Sequence, residues 1–267
     1  MKYALALLVC TGCEGILGLG ETKYTGGDGG RDARPPDACT GSACQSFASC
    51  RALQMAMPNA ASGVVALDAG TGAFNAYCEQ SADGGGWTLA LKVDGSAQTF
   101  NYDDPIWENT TLLAADAPDL DHTEAKLETW NAVPFSEVRV VFEYPINSTD
   151  THSLVIPLAG AKLFDLFQQS KPTTLGRDAW KSLMGASASL QLECNLEGTN
   201  IYDANIRVRL GIISNNEADC LTPDSRIGVG GGGPSCVSPS ESAGDTACYE
   251  PDNGEVELAA FAWVFVR

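Results

Sequence analysis

Histidine is nearly missing from this chain: His122 and His152 are the two among 267 residues. That is too few for a multi-histidine metal centre, and neither lies in an H-E-x-x-H or comparable pattern. Basic side chains are scarce as well, 16 Lys and Arg against 34 Asp and Glu, for a formal charge of −18. Such a surface repels phosphate backbones and anionic headgroups, since binding them takes clustered Lys and Arg that displace counterions. Nucleic acid is therefore excluded as a partner. No apolar run reaches the roughly 20 residues of a spanning helix. Catalytic signatures are lacking too: there is no G-x-S-x-G, neither histidine has a nucleophile signature beside it, and the cysteines read as paired rather than reactive. The chain is expected not to be an enzyme; a glycan hydrolase would need two carboxylates that converge only in the fold.

What is present is cysteine, ten residues of it, a content that fits an exported, oxidised protein better than a cytosolic one. The N-terminus agrees. Lys2 precedes a short apolar run over 4–9 and then Cys10-Thr11-Gly12-Cys13, an export signal rather than a span. Gly12-Cys13 resembles the lipobox of bacterial lipoproteins, which implies cleavage after residue 12 and a lipid on Cys13; Cys10 stands where that motif usually has Leu. An ordinary signal peptide without lipid is the alternative. Loss of Cys10 and lipidation of Cys13 leave Cys39, Cys44, Cys50, Cys78, Cys194, Cys220, Cys236 and Cys248, an even number that can all pair. The expected organisation is a signal peptide over 1–12, a tether over 13–44 and one domain over 45–267. Gly, Asp and Pro dominate the tether, which cannot bury a core and spans about 25–30 Å as a flexible chain. The location implied is the bacterial cell envelope, or the medium if no lipid is added.

The domain reads as α+β. Ser49 caps a short helix over 50–57; strands are expected at 64–67, 74–77 and 87–93, a helix from 123 to about 130, and a strand at 137–144. Helices at 163–169 and 178–184 and strands at 206–213 and 261–266 complete it. The regular βαβ rhythm of a doubly wound sheet is missing. The Gly-, Asn- and Asp-rich stretch 214–257 reads as long surface loops.

Ser49-Cys50-Arg51, Ser62-Gly63-Val64, Tyr77-Cys78-Glu79 and Asp83-Gly84-Gly85-Gly86-Trp87-Thr88-Leu89 together resemble the start of a fibrinogen C-terminal-like domain. Asn215-Asn216-Glu217, Cys220, the run 230–233 of four glycines and the terminal Phe261-Ala262-Trp263-Val264-Phe265-Val266-Arg267 resemble the intelectin, or X-type lectin, branch. The resemblance implies a single disulfide-stapled domain with short mixed sheets and long loops. It implies a Cys50–Cys78 bond joining the first helix to the second strand, about 3 kcal/mol of loop closure. Cys194, Cys220, Cys236 and Cys248 are expected to pair among themselves. The three glycines before Trp87 allow backbone angles closed to other residues, and the second glycine run reads as a tight surface loop rather than a phosphate cradle, since no G-K-[ST] follows.

Oxygen-rich loops suit Ca²⁺, which takes six to eight oxygen ligands. Asn216, Glu217, Asp219 and Asp224 form one candidate cluster and Glu250 with Asp252 a second; the resemblance implies Asn216, Glu217 and Glu250 in particular, with Asp252 a near neighbour. The alternative reading is that the same Asp and Asn residues cap turns in solvated loops. The sequence departs from the branch where its acidic and histidine ligands should follow, having Thr222-Pro223-Asp224-Ser225-Arg226 instead, and Tyr249 is the nearest counterpart of the sugar-flanking aromatics. Trp107 and Trp130 read as core rather than as sugar platforms. The function implied is calcium-dependent binding of a glycan or cell-surface ligand, membrane contact being through the lipid alone. The alternative is a protein-interaction or structural module whose calcium is structural only.

Overall fold

The computed structural model describes residues 46–203, 206–233 and 241–267. The signal, tether and Cys13 calls, and Cys39, Cys44 and Cys236, lie outside the described residues.

Two sheets carry the fold. The first runs β1 (Gly63–Asp68), β2 (Ala73–Glu79), β3 (Trp87–Asp94), β13 (Phe261–Val266), β5 (Val138–Glu143) and β6 (Thr151–Ile156), with β4 (Ala125–Lys126) beside β3. The second runs β12 (Val256–Ala259), β11 (Ala243–Ala247), β10 (Ser225–Gly232), β9 (Arg207–Asn215), β8 (Glu193–Tyr202) and β7 (Lys171–Pro172). All ladders between these strands are antiparallel. Period-two alternation on β13 sends Ala262, Val264 and Val266 into the main core and Phe261, Trp263 and Phe265 onto the opposite face, where Trp87, Leu89 and Val141 join them. Both faces of this central strand are covered, so it reads as an unbroken apolar run.

The entry to the domain follows its sequence signals. Ser49 Oγ accepts from Ala52 N at 3.2 Å at the start of α1 (Cys50–Ala56). Cys50 and Cys78 are disulfide-bonded, Cα–Cα 5.2 Å. Gly84, Gly85 and Gly86 all take positive φ, 85°, 70° and 76°, and turn the chain so that Trp87 enters the core. Arg267 then lies 4.1 Å above its ring.

Several expectations are corrected. The helix expected from 123 is the strand β4 followed by one helical turn, Thr129–Ala132. Both residues of β4 are buried, and Lys126 Nζ donates to the carbonyls of Ile106 (2.5 Å) and Asn109 (2.6 Å). That contact with another chain segment overrides helical propensity. The helix expected over 163–169 ends after Leu163–Leu166, and the one over 178–184 divides into Arg177–Lys181 and a 3₁₀ segment, Ser182–Ser187. The stretch read as loops from 214 contains β10, β11 and β12.

The second glycine run is likewise no surface loop. Gly230, Gly231 and Gly232 are the buried end of β10. A Cβ on Gly231 would stand 2.3 Å from Arg226 Nη1 and from the Glu241 carbonyl, and one on Gly230 would stand 2.4 Å from Arg209 Cβ. These glycines let large side chains cross a strand at backbone distance.

Candidate functional site

Sequence reasoning treats 215–224 and 248–255 as separate loops, yet they flank the paired ends of β10 and β11, where Cys248 N donates to the Asp224 carbonyl (3.2 Å), and one buried amide bonds both. Gln191 Nε2 donates to the Tyr249 carbonyl (2.8 Å), while Gln191 Oε1 accepts from Asp224 N (3.1 Å). Its own N–H donates to Ser225 Oγ (2.9 Å), and its carbonyl accepts from Arg177 Nε (2.9 Å). Nothing in Ser189-Leu190-Gln191-Leu192 signals this role, which depends wholly on tertiary placement. The Cys194–Cys220 disulfide (Cα–Cα 5.1 Å) ties the first loop to β8, and Cys248 at the root of the second is also disulfide-bonded.

On this frame the nominated residues divide. Asn216 and Glu217 are exposed. Asn216 N donates to Asn215 Oδ1, Asn215 Nδ2 to the Asp219 carbonyl, and Leu221 N to Asp219 Oδ1, all contacts that hold the loop's own shape. Asp224 is half-buried; that burial and the charges of Glu217 and Asp203 push its carboxyl above the usual range. The charges of Glu217 and Asp203 thus add to the effect of burial on Asp224, and Asp203 is a contributor that sequence reasoning missed. Tyr249 is 57% exposed, with its N–H donating to Glu255 Oε1 (3.2 Å). Tyr249 and Glu250 both sit in left-handed backbone, φ 53° and 65°, which turns the loop outward.

Asp252 is engaged elsewhere. Its carboxylate takes Arg177 Nη2 at 2.6 Å and Lys181 Nζ, and it accepts from Leu190 N at 3.1 Å. Burial alone would raise this carboxyl; the bonds from Lys181, Arg177 and Leu190 outweigh it and hold the group at about 2. Among the described residues no group of three or more His, Cys, Asp or Glu side chains is arranged to hold a metal ion. The nominated set as a whole does not fit a calcium cage, since Asp252 is held by two cations. Glu217 and Asp224 are the pair whose mutual repulsion a cation would relieve.

A second set of charges is structural. Arg226, buried in β10, donates through Nη2 to the Glu241 carbonyl (2.9 Å) and to Glu241 Oε2 (3.2 Å). Asp245, also buried, accepts from Ser189 N (2.7 Å) and has its carboxyl raised well above the ordinary range, burial being the main cause. Trp107 and Trp130 are fully buried and pack with Phe100 and Phe167, so neither offers a face to a sugar.

No family model and no curated protein matches the sequence. Among solved structures the chain is similar to the fibrinogen-like globe domain of human ANGPTL6, at 14% identity and TM-score 0.38, over 84% of this chain and 96% of that one.

Proposed function

We propose that the chain is a non-catalytic recognition module of fibrinogen-like architecture, related to the intelectin branch. It is exported, lipid-anchored through Cys13 at the bacterial cell envelope, and binds a glycan or cell-surface ligand through the face made by 215–224 and 248–255. The observation that carries this reading is the Gln191 clamp. By fixing both loop backbones from beneath, it presents Tyr249, Glu217 and Asp224 on a preorganised frame, and preorganisation is what keeps the ordering cost of binding low. Leu221 and Leu192, 74% and 62% exposed, stand one residue beyond Cys220 and Gln191 and add apolar surface near the acidic groups.

Calcium belongs to this reading at the Glu217–Asp224 corner alone, favoured by the charges that help raise Asp224. Glycan-array binding measured with and without chelator tests the proposal. Chelator-sensitive binding supports the calcium-dependent form, and chelator-insensitive binding supports a module whose calcium, if any, is structural. No binding to any glycan leaves the protein-interaction form as the reading to pursue.

A further inference from the structure

The outer face of the first sheet carries a groove of about 270 Å³, far from the loops in sequence. Its floor is Trp263 and Phe265 of β13 with Arg139 and Glu143 of β5; its rim includes Leu120 and His122. The rim segment is pinned from below. Lys92, fully buried on β3, holds Asp121 and lies 3.6 Å from Asp119, while His122 Nε2 lies 2.9 Å from Glu143 Oε1. His122 also packs edge-on against Phe261, ring centroids 4.6 Å apart.

The groove's polar groups are buried but incompletely used. Glu143 is 5% exposed, and its Oε1 takes His122 and Asn147 N while Oε2 makes no hydrogen bond among the described residues. Arg139, 8% exposed, spends Nε on Asp83 and lies 5.5 Å from the Phe265 ring centre, leaving both Nη groups without a hydrogen bond among the described residues. The indole Nε1 of Trp263, a residue 7% exposed, is buried with no partner. The free Glu143 oxygen and the Arg139 Nη groups are not sealed from solvent, unlike the indole N–H, so a ligand in the groove can replace the water on them.

Charge selects the ligand. Glu79 and Glu143 line the groove and Asp83 stands behind Arg139, three carboxylates against the guanidinium of Arg139 and that of Arg267, which also acts on Asp83. Glu79 is held at about 2: burial opposes this, but bonds from Ser81, Ala82 and Ser62 prevail. An anionic ligand would add to the excess, whereas a cation relieves it. The unbonded Nη groups of Arg139 favour an oxygen acceptor on the same molecule, and the volume restricts it to a small one.

We propose that this groove binds a small organic amine carrying a hydroxyl or carbonyl oxygen, its ammonium at Glu143 and its oxygen toward Arg139. The site is separate from the loop face and needs no metal, so it stands or falls independently of the glycan reading.

Intrinsic tryptophan fluorescence tests it directly, because Trp87, Trp107, Trp130 and Trp180 are fully buried and Trp263 lines the groove. The full chain is titrated with ethanolamine and glucosamine, and in parallel with their neutral counterparts ethylene glycol and glucose, in the presence of chelator. The expected result is a saturable change with the two amines and none with the neutral compounds. Glu143→Gln should weaken amine binding about tenfold or more, and Leu120→Arg, at the rim and outside the core, should abolish it. Tyr249→Ala should leave it unchanged. Equal response to amine and neutral partner, no response to either amine, or full amine binding by folded Leu120→Arg would overturn the proposal; the last variant decides the matter even if Glu143→Gln fails to fold.

Discussion

Gln191 Nε2 stands 2.8 Å from the carbonyl oxygen of Tyr249, and the oxygen of the same amide stands 3.1 Å from Asp224 N. The β10–β11 ladder, extended by Cys248 N donating to the Asp224 carbonyl (3.2 Å), brings these two loops together, and this one side chain adds a bond to each of them 25 residues apart, at 224 and 249, in the sequence.

Gln191→Ala should therefore leave the Tyr249 carbonyl without its donor, while Asp224 N keeps the Ser214 carbonyl (3.2 Å), and lower stability by about 1–2 kcal/mol. Denaturant unfolding measures the loss. Hydrogen exchange should accelerate at 224 and 248–255 beyond the global change; uniform protection across those residues would show that the clamp is dispensable.

The buried glycine strand gives a sharper test of the fold. Gly231→Ala puts a methyl 2.3 Å from Arg226 Nη1 and the Glu241 carbonyl. A backbone carbonyl cannot swing aside, so a loss of about 3 kcal/mol or more is expected, or failure to fold. A melting temperature close to wild type would place these glycines in an open loop after all.

Stability should peak in mild acid. Glu257 is pushed up to about 7 by burial and by the neighbouring Glu241 carboxyl, against an ordinary 4.5. Because the folded state holds that proton more tightly than the unfolded chain, the stabilisation is complete below 4.5 and is lost as pH rises to about 7. Glu124, Asp224 and Asp245, also raised, act in the same sense. Glu79, Asp121 and Asp252, held at about 2, act oppositely: their contribution is present above the ordinary carboxyl range and is lost as pH falls toward 2. Denaturant midpoints should be highest between about pH 4 and 5, and Glu257→Gln should flatten the decline toward pH 7. A midpoint still rising above pH 7 in the wild type would contradict this balance.

How far the sequence carries can be judged at particular residues. The Ser49 cap, the glycines before Trp87 and the apolar strand at 261–266 were legible because each depends on local chemistry, and the Cys50–Cys78 pair through the resemblance. Lys126 and the glycines at 230–232 misled for the opposite reason, since a buried ammonium capped by Ile106 and Asn109 and a strand crossed by Arg226 are tertiary arrangements. The candidate site shows the same division. Glu217, Asp224 and Tyr249 announce themselves as polar or aromatic loop residues, whereas Gln191, Asp203 and the salt-bridged state of Asp252 depend on chain segments remote in sequence.

Calcium should raise the melting temperature through the Glu217–Asp224 corner, by about 2.7 kcal/mol when the ion is at a hundred times its dissociation constant. Glu217→Gln should remove that gain. Asp252→Asn should cost the same with calcium as with chelator, because Arg177 and Lys181 are its partners. A cost for Asp252→Asn that appears only with calcium would return Asp252 to the ligand set.

The central claim is that the loop face around Tyr249 is the recognition surface. Glycan-array profiles of wild type and Tyr249→Ala, compared at matched melting temperature, test it most directly, because Tyr249 is largely exposed and its truncation spares the frame. The account predicts that wild type binds a defined set of glycans and that Tyr249→Ala loses them while remaining folded. An unchanged profile in folded Tyr249→Ala would contradict it.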